Sequence, residues 1–163
     1  MEVRDTTDAD AERVTALIDG VSRERRYLAG TVGFPAESTR AFLASVKAAG
    51  GVHVIAVASE EVIGWCDITP HPFEGMRHVG RLGMGVQKEH RSRGVGRNLL
   101  SAAIQKAFAG TLERIELEVF ASNRSAVKLY EAFGFEYEGR KVAARKIDGV
   151  TDDILLYAKR KVA

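Results

Sequence analysis

The stretch from Gly80 to Arg97 carries the residues whose types and spacing point most directly to chemistry. Gly80, Gly83 and Gly85 fall within His78 to Val86, a run that otherwise reads as a strand. Glycine weakens a strand interior, so three of them call for a bulge or the close approach of another chain or a ligand. The chain then runs through Gln87-Lys88-Glu89-His90-Arg91-Ser92-Arg93-Gly94-Val95-Gly96-Arg97 into a helical pattern that begins at Val95. A strand, a glycine-rich turn and a helix N-terminus make an anion site. The first N–H groups of a helix lack internal partners, and the dipole favours a negative guest. Gly94 and Gly96 allow close approach of a phosphate, and Arg91, Arg93 and Arg97 place cations around it. A solvated basic turn before an ordinary helix would look the same. Two phosphate motifs are excluded: Gly96 is followed by Arg97-Asn98 rather than Lys-Ser/Thr, and Leu99 stands where a dinucleotide fingerprint needs a third small residue.

A second block lies downstream. Ile115-Glu116-Leu117-Glu118-Val119 alternates as a strand. Asn123-Arg124-Ser125-Ala126-Val127-Lys128-Leu129-Tyr130 follows, and then Phe133-Gly134-Phe135. With these blocks the chain resembles the GNAT N-acetyltransferase superfamily. Arg91 to Gly96 fits that family's Q/R-x-x-G-x-G/A signature, and the second block is similar to its L-E-V…N-x-x-A…L-Y…G-F pattern. In detail it is similar to bacterial ribosomal-protein and L-amino-acid N-acetyltransferases.

The resemblance implies acetyl-CoA as co-substrate. The backbone of Met84, Gly85 and Val86 would pair with the pantetheine arm, with N–H groups near Met84 polarising the thioester carbonyl. Ser92, Arg93, Gly94, Val95, Gly96 and Arg97 would cradle the pyrophosphate beside Arg91. Asn123 would touch the cofactor arm, cap a helix, or do both. Tyr130 would be the general acid that protonates the departing thiolate. Glu118 matches a glutamate assigned as general base, and Glu116 on the same strand face would form a carboxylate pair with it. His78 or a water chain are the alternative bases. The reaction needs a deprotonated amine, from a starting pKa of about 8 to 10, and donors for the oxyanion.

These residues must be held by elements, and periodicity supplies them. The sequence predicts a strand at Glu2 to Asp5 and a helix from about Asp8 with Val14, Leu17, Ile18 and Val21 inward. A second helix follows Pro35. Strands at His53 to Ala58 and Val62 to Thr69 flank a turn at Ser59-Glu60-Glu61, and Pro70 to Arg77 is a loop. The glycine-rich strand, a helix to Gly110, a strand at Arg114 to Phe120 and a helix from about Asn123 to Phe133 come next. The chain closes with strands at Phe135 to Ile147 and Val150 to Lys159, around an Asp148-Gly149 type I′ turn. The order β-α-α-β-β-β-α-β-α-β-β predicts an α/β (α+β) fold: a mixed, mostly antiparallel sheet flanked by about four helices.

Composition narrows the partners. The chain has 163 residues, which suits one domain, and a net charge of +2 from 24 basic and 22 acidic residues. That balance argues against a nucleic-acid module. The N-terminus has neither a basic nor an apolar targeting pattern, and no apolar run is long enough to span a bilayer, so a cytoplasmic protein is expected. Cys66 stands alone and is expected to be buried packing, and Trp65 to be core or cleft wall. His53, His71 and His90 show no ligand spacing, so no metal is expected. The expected acceptor is the primary amine of a small molecule, amino acid or peptide N-terminus, with Tyr27, Phe34, Phe73 and Glu74 as lining residues. Homodimers are common in the resembled family. The alternative reading is a CoA-binding sensor without catalysis.

Overall fold

The computed structural model describes residues 1–163. Strands β1 (Glu2–Asp5), β2 (Val52–Ala58), β3 (Glu61–Pro70), β4 (Val79–Val86), β5 (Arg114–Phe120), β6 (Glu136–Ile147) and β7 (Val150–Arg160) form one sheet. Helices α1 (Ala11–Arg23), α2 (Ala36–Ala48), α3 (Val95–Ala109) and α4 (Arg124–Ala132) connect them. The spatial order is β1-β2-β3-β4-β5-β7-β6, and every pair is antiparallel except β4 with β5. This is the mixed, mostly antiparallel sheet with four helices that the periodicity predicts.

Each face of the sheet has its own core. The 3.6-residue spacing of Val95, Leu99, Leu100, Ala103, Ile104 and Ala107 lays α3 against Cys66, Ile68, Ile115 and Leu117. On the opposite face Val14, Leu17 and Val21 of α1 close over Ile55, Val62 and Trp65. Burying each of these large aliphatic side chains contributes roughly 1.5–3 kcal/mol. A carboxylate fixes the start of α1. Asp10, 1% exposed, takes both guanidinium N–H groups of Arg4 at 2.8 and 2.9 Å and one of Arg13 at 2.6 Å. It also accepts from the Thr7 backbone N–H (2.8 Å) and hydroxyl (2.9 Å).

The hairpins follow local chemistry. Asp148 and Gly149 both have positive φ, as a type I′ turn requires. Between β2 and β3 the turn is two residues rather than three. Ser59 and Glu60 adopt positive φ without a glycine, and β3 already begins at Glu61. The β3 strand also runs one residue further than expected, since Pro70 still pairs with Gly80.

One irregularity shapes the molecule. The parallel β4–β5 pair is matched only at Val79↔Arg114, Gly80↔Ile115 and Arg81↔Glu116. Beyond Arg81 the two strands part, while β4 stays paired to β3 through Val86 and β5 to β7 through Phe120. A gap opens inside an otherwise continuous sheet.

Candidate active site

A cavity of about 530 Å³ occupies that gap. Leu82 to Val86 of β4 form one wall and Glu118 to Phe120 of β5 the other. The 91–97 turn closes one end, and α4 contributes Asn123, Ala126, Leu129 and Tyr130. Of the residues singled out by sequence, Met84, Gly85, Val86, Arg91, Ser92, Gly94, Gly96, Arg97, Glu118, Asn123 and Tyr130 line it. Arg93 is exposed outside it, and the Val95 side chain is buried in the core.

The turn is built as an anion site. Asn98 is the first residue of α3 whose N–H bonds back, to the Gly94 carbonyl at 3.0 Å. The N–H groups from Ser92 to Arg97 make no hydrogen bond within the protein. Ser92 (φ 60°) and Gly94 (φ 83°) both hold left-handed backbone in the turn, as in backbone nests that bind anions. A phosphate fits this donor set by charge and by direction.

The cations around the turn differ from the sequence reading. Arg91 is not free for a phosphate. Its guanidinium makes a two-pronged ion pair with Glu24 at 2.7 and 2.5 Å, its Nε donates to the Val86 carbonyl at 2.9 Å, and its charge lies 4.5 Å from the Tyr27 ring centre. Arg91 therefore ties the end of α1 to the end of β4. Arg93 and Arg97 make no ion pair, and Arg97 rests over Phe133.

The β4 glycines also need a different account. A Cβ on Gly80 would lie 2.5 Å from Ile68, and one on Gly85 would lie 2.3 Å from the Trp65 ring. Both are bare because core side chains fill the space. Trp65 is core, not cleft wall, and Cys66 is fully buried with its thiol pKa pushed well up by burial.

Tyr130 is buried at the cavity, edge-on to Phe135 at 5.8 Å between ring centres. Burial raises its phenol above the ordinary tyrosine range, so it stays protonated at neutral pH. Asn123 accepts from the Ala126 N–H at 3.3 Å, so it caps α4 while facing the cavity.

The two glutamates of β5 do not form a carboxylate pair. Glu118 accepts from Lys141 Nζ at 2.6 Å, whereas Glu116 contacts His71 at 3.0 Å and Arg114 at 3.3 Å. His78 is exposed at the zipped end of β4, away from the cavity. Of the expected acceptor residues only Tyr27 lines the cavity, with its neighbours Leu28 and Ala29. Phe34 and Phe73 are 67% and 71% exposed, and Glu74 is also exposed. The Tyr27 segment is held from the far side too: Arg145 donates to the carbonyls of Arg25 and Leu28, and Arg25 pairs with Asp148.

Sequence reasoning missed Asp67. Burial raises its pKa to about 7 against the opposing hydrogen bond from Trp65 Nε1 at 3.2 Å. The signal available was an acidic residue in the apolar run Val62 to Ile68.

No group of three or more His, Cys, Asp or Glu side chains is arranged to hold a metal ion, and no helix is long and apolar enough to cross a membrane.

Comparison with known proteins identifies the family and the fold. The profile of the "Acetyltransferase (GNAT) family" matches residues 18–135. The L-amino acid N-acetyltransferase AaaT of Escherichia coli is 33% identical over 95 residues, 56% of this chain and 59% of that protein. Human N-alpha-acetyltransferase 30 is 34% identical over 89 residues, 53% of this chain and 24% of that one. The chain thus spans less than two thirds of these relatives. Among solved structures, a GNAT-family acetyltransferase from Streptococcus pneumoniae superposes with a TM-score of 0.92 at 28% identity, covering 98% of this chain and 99% of its own. The Salmonella typhimurium protein yncA, solved with acetyl-CoA, has the same fold: TM-score 0.92 at 17% identity, covering 98% of this chain and 92% of its own.

Proposed function

The chain belongs to the acetyltransferase (GNAT) family, and on that premise we propose that its 163 residues act as one N-acetyltransferase domain. The acceptor is the primary amine of a small molecule, an amino acid or a peptide N-terminus, attacking directly in a ternary complex. One observation carries this reading above the others. A single cavity joins the 92–97 turn with its unpartnered backbone N–H groups, an unpaired strand edge and a buried protonated tyrosine. Acetyl-CoA supplies an activated acetyl thioester there. The N–H groups of Ser92 to Arg97 hold its pyrophosphate, with Arg97 as the free cation beside them. Gly83 to Val86 offer backbone groups to its amide-bearing arm, and the same edge stabilises negative charge on the acetyl oxygen. Tyr130 delivers a proton to the sulfur that leaves. Glu118 lines the β5 wall, where Lys141 offsets its charge. The names of two relatives, an L-amino acid N-acetyltransferase and an N-alpha-acetyltransferase, support an α-amine.

The test is release of CoA thiol from acetyl-CoA across a panel of amines, with Tyr130→Phe alongside. The variant is expected to bind acetyl-CoA as the parent does and to lose about 10²–10⁴-fold in kcat. Equal turnover by both proteins removes Tyr130 as the acid. Cofactor binding by the parent with no thiol release for any amine favours a sensor. Gly96→Val checks the cradle. A Cβ at Gly96 meets Leu129 and Met84 at 3.4 and 3.5 Å, ordinary contact distances, so the fold survives while the valine narrows the pyrophosphate site. Unchanged acetyl-CoA affinity overturns the cradle.

A further inference from the structure

We propose that Asp67 binds the acceptor's ammonium group and takes its proton, a role that rests on the acetyl-transfer reading above. Register places it. Asp67 on β3 pairs with Gly83 on β4, on the α1/α2 face of the sheet. Gly83 is the first residue on that face beyond the last β4–β5 match, and it lines the cavity. Glu118 holds the equivalent place across the gap on β5. A Cβ on Gly83 would stand 3.2 Å from Asp67 Oδ2. The missing side chain leaves the carboxylate against the bare backbone of Gly83, which itself lines the cavity beside the Met84 and Gly85 groups that would hold the thioester. Of the three β4 glycines, this is the one whose bare face meets a reactive group rather than core.

The partners of Asp67 leave it available. Its one hydrogen bond comes from Trp65 Nε1, at 3.2 Å, and no cation pairs with it. The other carboxylates near the cleft are all engaged: Glu118 by Lys141, Glu116 by His71 and Arg114, Glu24 by Arg91. The groups around Asp67 add no compensating charge. His53, opposite on β2, stays neutral above a pKa that burial lowers to about 4, and it contacts the Thr6 hydroxyl. Helix α1 packs apolar residues against this face, and α2 brings Phe42 over His53. Arg81 on β4 and Glu116 and Glu118 on β5 face the same side without an ion pair to Asp67. An unpaired, half-buried carboxylate attracts a cation, and its pKa of about 7 suits proton transfer at neutral pH.

The bound ammonium gives one proton to Asp67. The freed nitrogen lone pair forms the C–N bond to the acetyl carbon, and the C–S bond breaks. Sulfur takes a proton from Tyr130, the nitrogen's second proton restores the tyrosine, and Asp67 returns its proton to water.

Asp67→Asn tests this, since asparagine keeps the shape and the Trp65 contact. With an amine that the parent acetylates, kcat/KM is expected to fall at least about 100-fold while acetyl-CoA affinity stays within twofold. The parent's kcat/KM should rise with pH through about 7. The variant should lose that limb and keep only the one set by the amine, and Asp67→Glu should restore part of the rate. A second readout needs no turnover: with ¹³C-carboxyl-labelled aspartate, one resonance should titrate near pH 7 and vanish in Asp67→Asn. Activity within threefold and an unchanged pH limb overturn the proposal, and so does ordinary acidic titration of every aspartate. A parent that binds acetyl-CoA yet acetylates no amine overturns the acetyl-transfer reading and this role with it. An active parent beside an active Asp67→Asn overturns this role alone.

Discussion

Asp10 is buried and Asp67 half-buried, and their surroundings set the two carboxylates in opposite states. Asp10 sits where β1 meets α1 and accepts five hydrogen bonds from two arginines and Thr7. Arg4, with help from Thr7, holds its pKa far below the carboxylate range. Asp67 sits at the cleft with one long bond from Trp65, and burial raises its pKa to about 7. Burial alone therefore says little about a carboxylate. The supply of donors decides whether it stabilises the fold or waits for a ligand.

The sharpest way to break this contrast is Asp10→Ala. It strands Arg4 and Arg13 and unfastens the start of α1, so unfolding free energy measured with urea should fall by about 3 kcal/mol. A loss under 1 kcal/mol would mean that the network does not anchor β1 to α1. The half-buried Arg91–Glu24 pair lies between the two extremes. Arg91→Met should cost about 1–3 kcal/mol and raise KM for the amine by loosening the Tyr27 segment. Stability loss with an unmoved KM would separate that ion pair from the acceptor wall. Thr7→Ala removes one hydroxyl donor from Asp10 and should cost about 1 kcal/mol.

One substitution has the opposite sign. Asp67→Asn should raise the melting temperature at pH 8, where the shift from 3.8 to about 7 sets a ceiling of about 4 kcal/mol, and leave it unchanged at pH 4. Its folded pKa lies above the ordinary 3.8, so its favourable contribution is complete below pH 4 and is lost as pH rises through 7. Asp10 behaves in reverse. Its contribution is present above pH 4 and is lost as pH falls toward its depressed value, so acid should destabilise the parent more steeply than Asp10→Asn. Parallel melting curves for parent and Asp67→Asn from pH 4 to 8 would erase the contrast.

The proposed cofactor side of the cleft was legible in the sequence, and the proposed acceptor side was not. Backbone recognition needs glycines, a turn and a helix start within a few residues, so Gly94 and Gly96 announced the donor cradle from local spacing. Asn123 and Tyr130 share one helix and carried a fixed motif. The acceptor side joins residues that no local pattern connects: Asp67 beside Gly83, Glu24 with Arg91, Arg25 with Asp148, Glu118 with Lys141. Pairing of this kind also occupies the Arg91 guanidinium and gives Glu116 and Glu118 separate partners. The β4 glycines show the same limit. Their number was visible, but the neighbours that explain Gly80 and Gly85 lie on β3 and in the segment before β5.

The parting of β4 from β5 after Arg81 gives the sheet an interior edge. Open edges usually sit at the rim of a protein and invite other strands to add. This one is walled in by α4, the 91–97 turn and the Tyr27 segment, so only a slender chain can reach it. A guest with its own amide groups would act as a temporary eighth strand and complete the ladder. Amide hydrogen exchange should register that event: slower exchange at the gap-facing amides of Leu82 to Val86 when acetyl-CoA is added, with β2 unaffected.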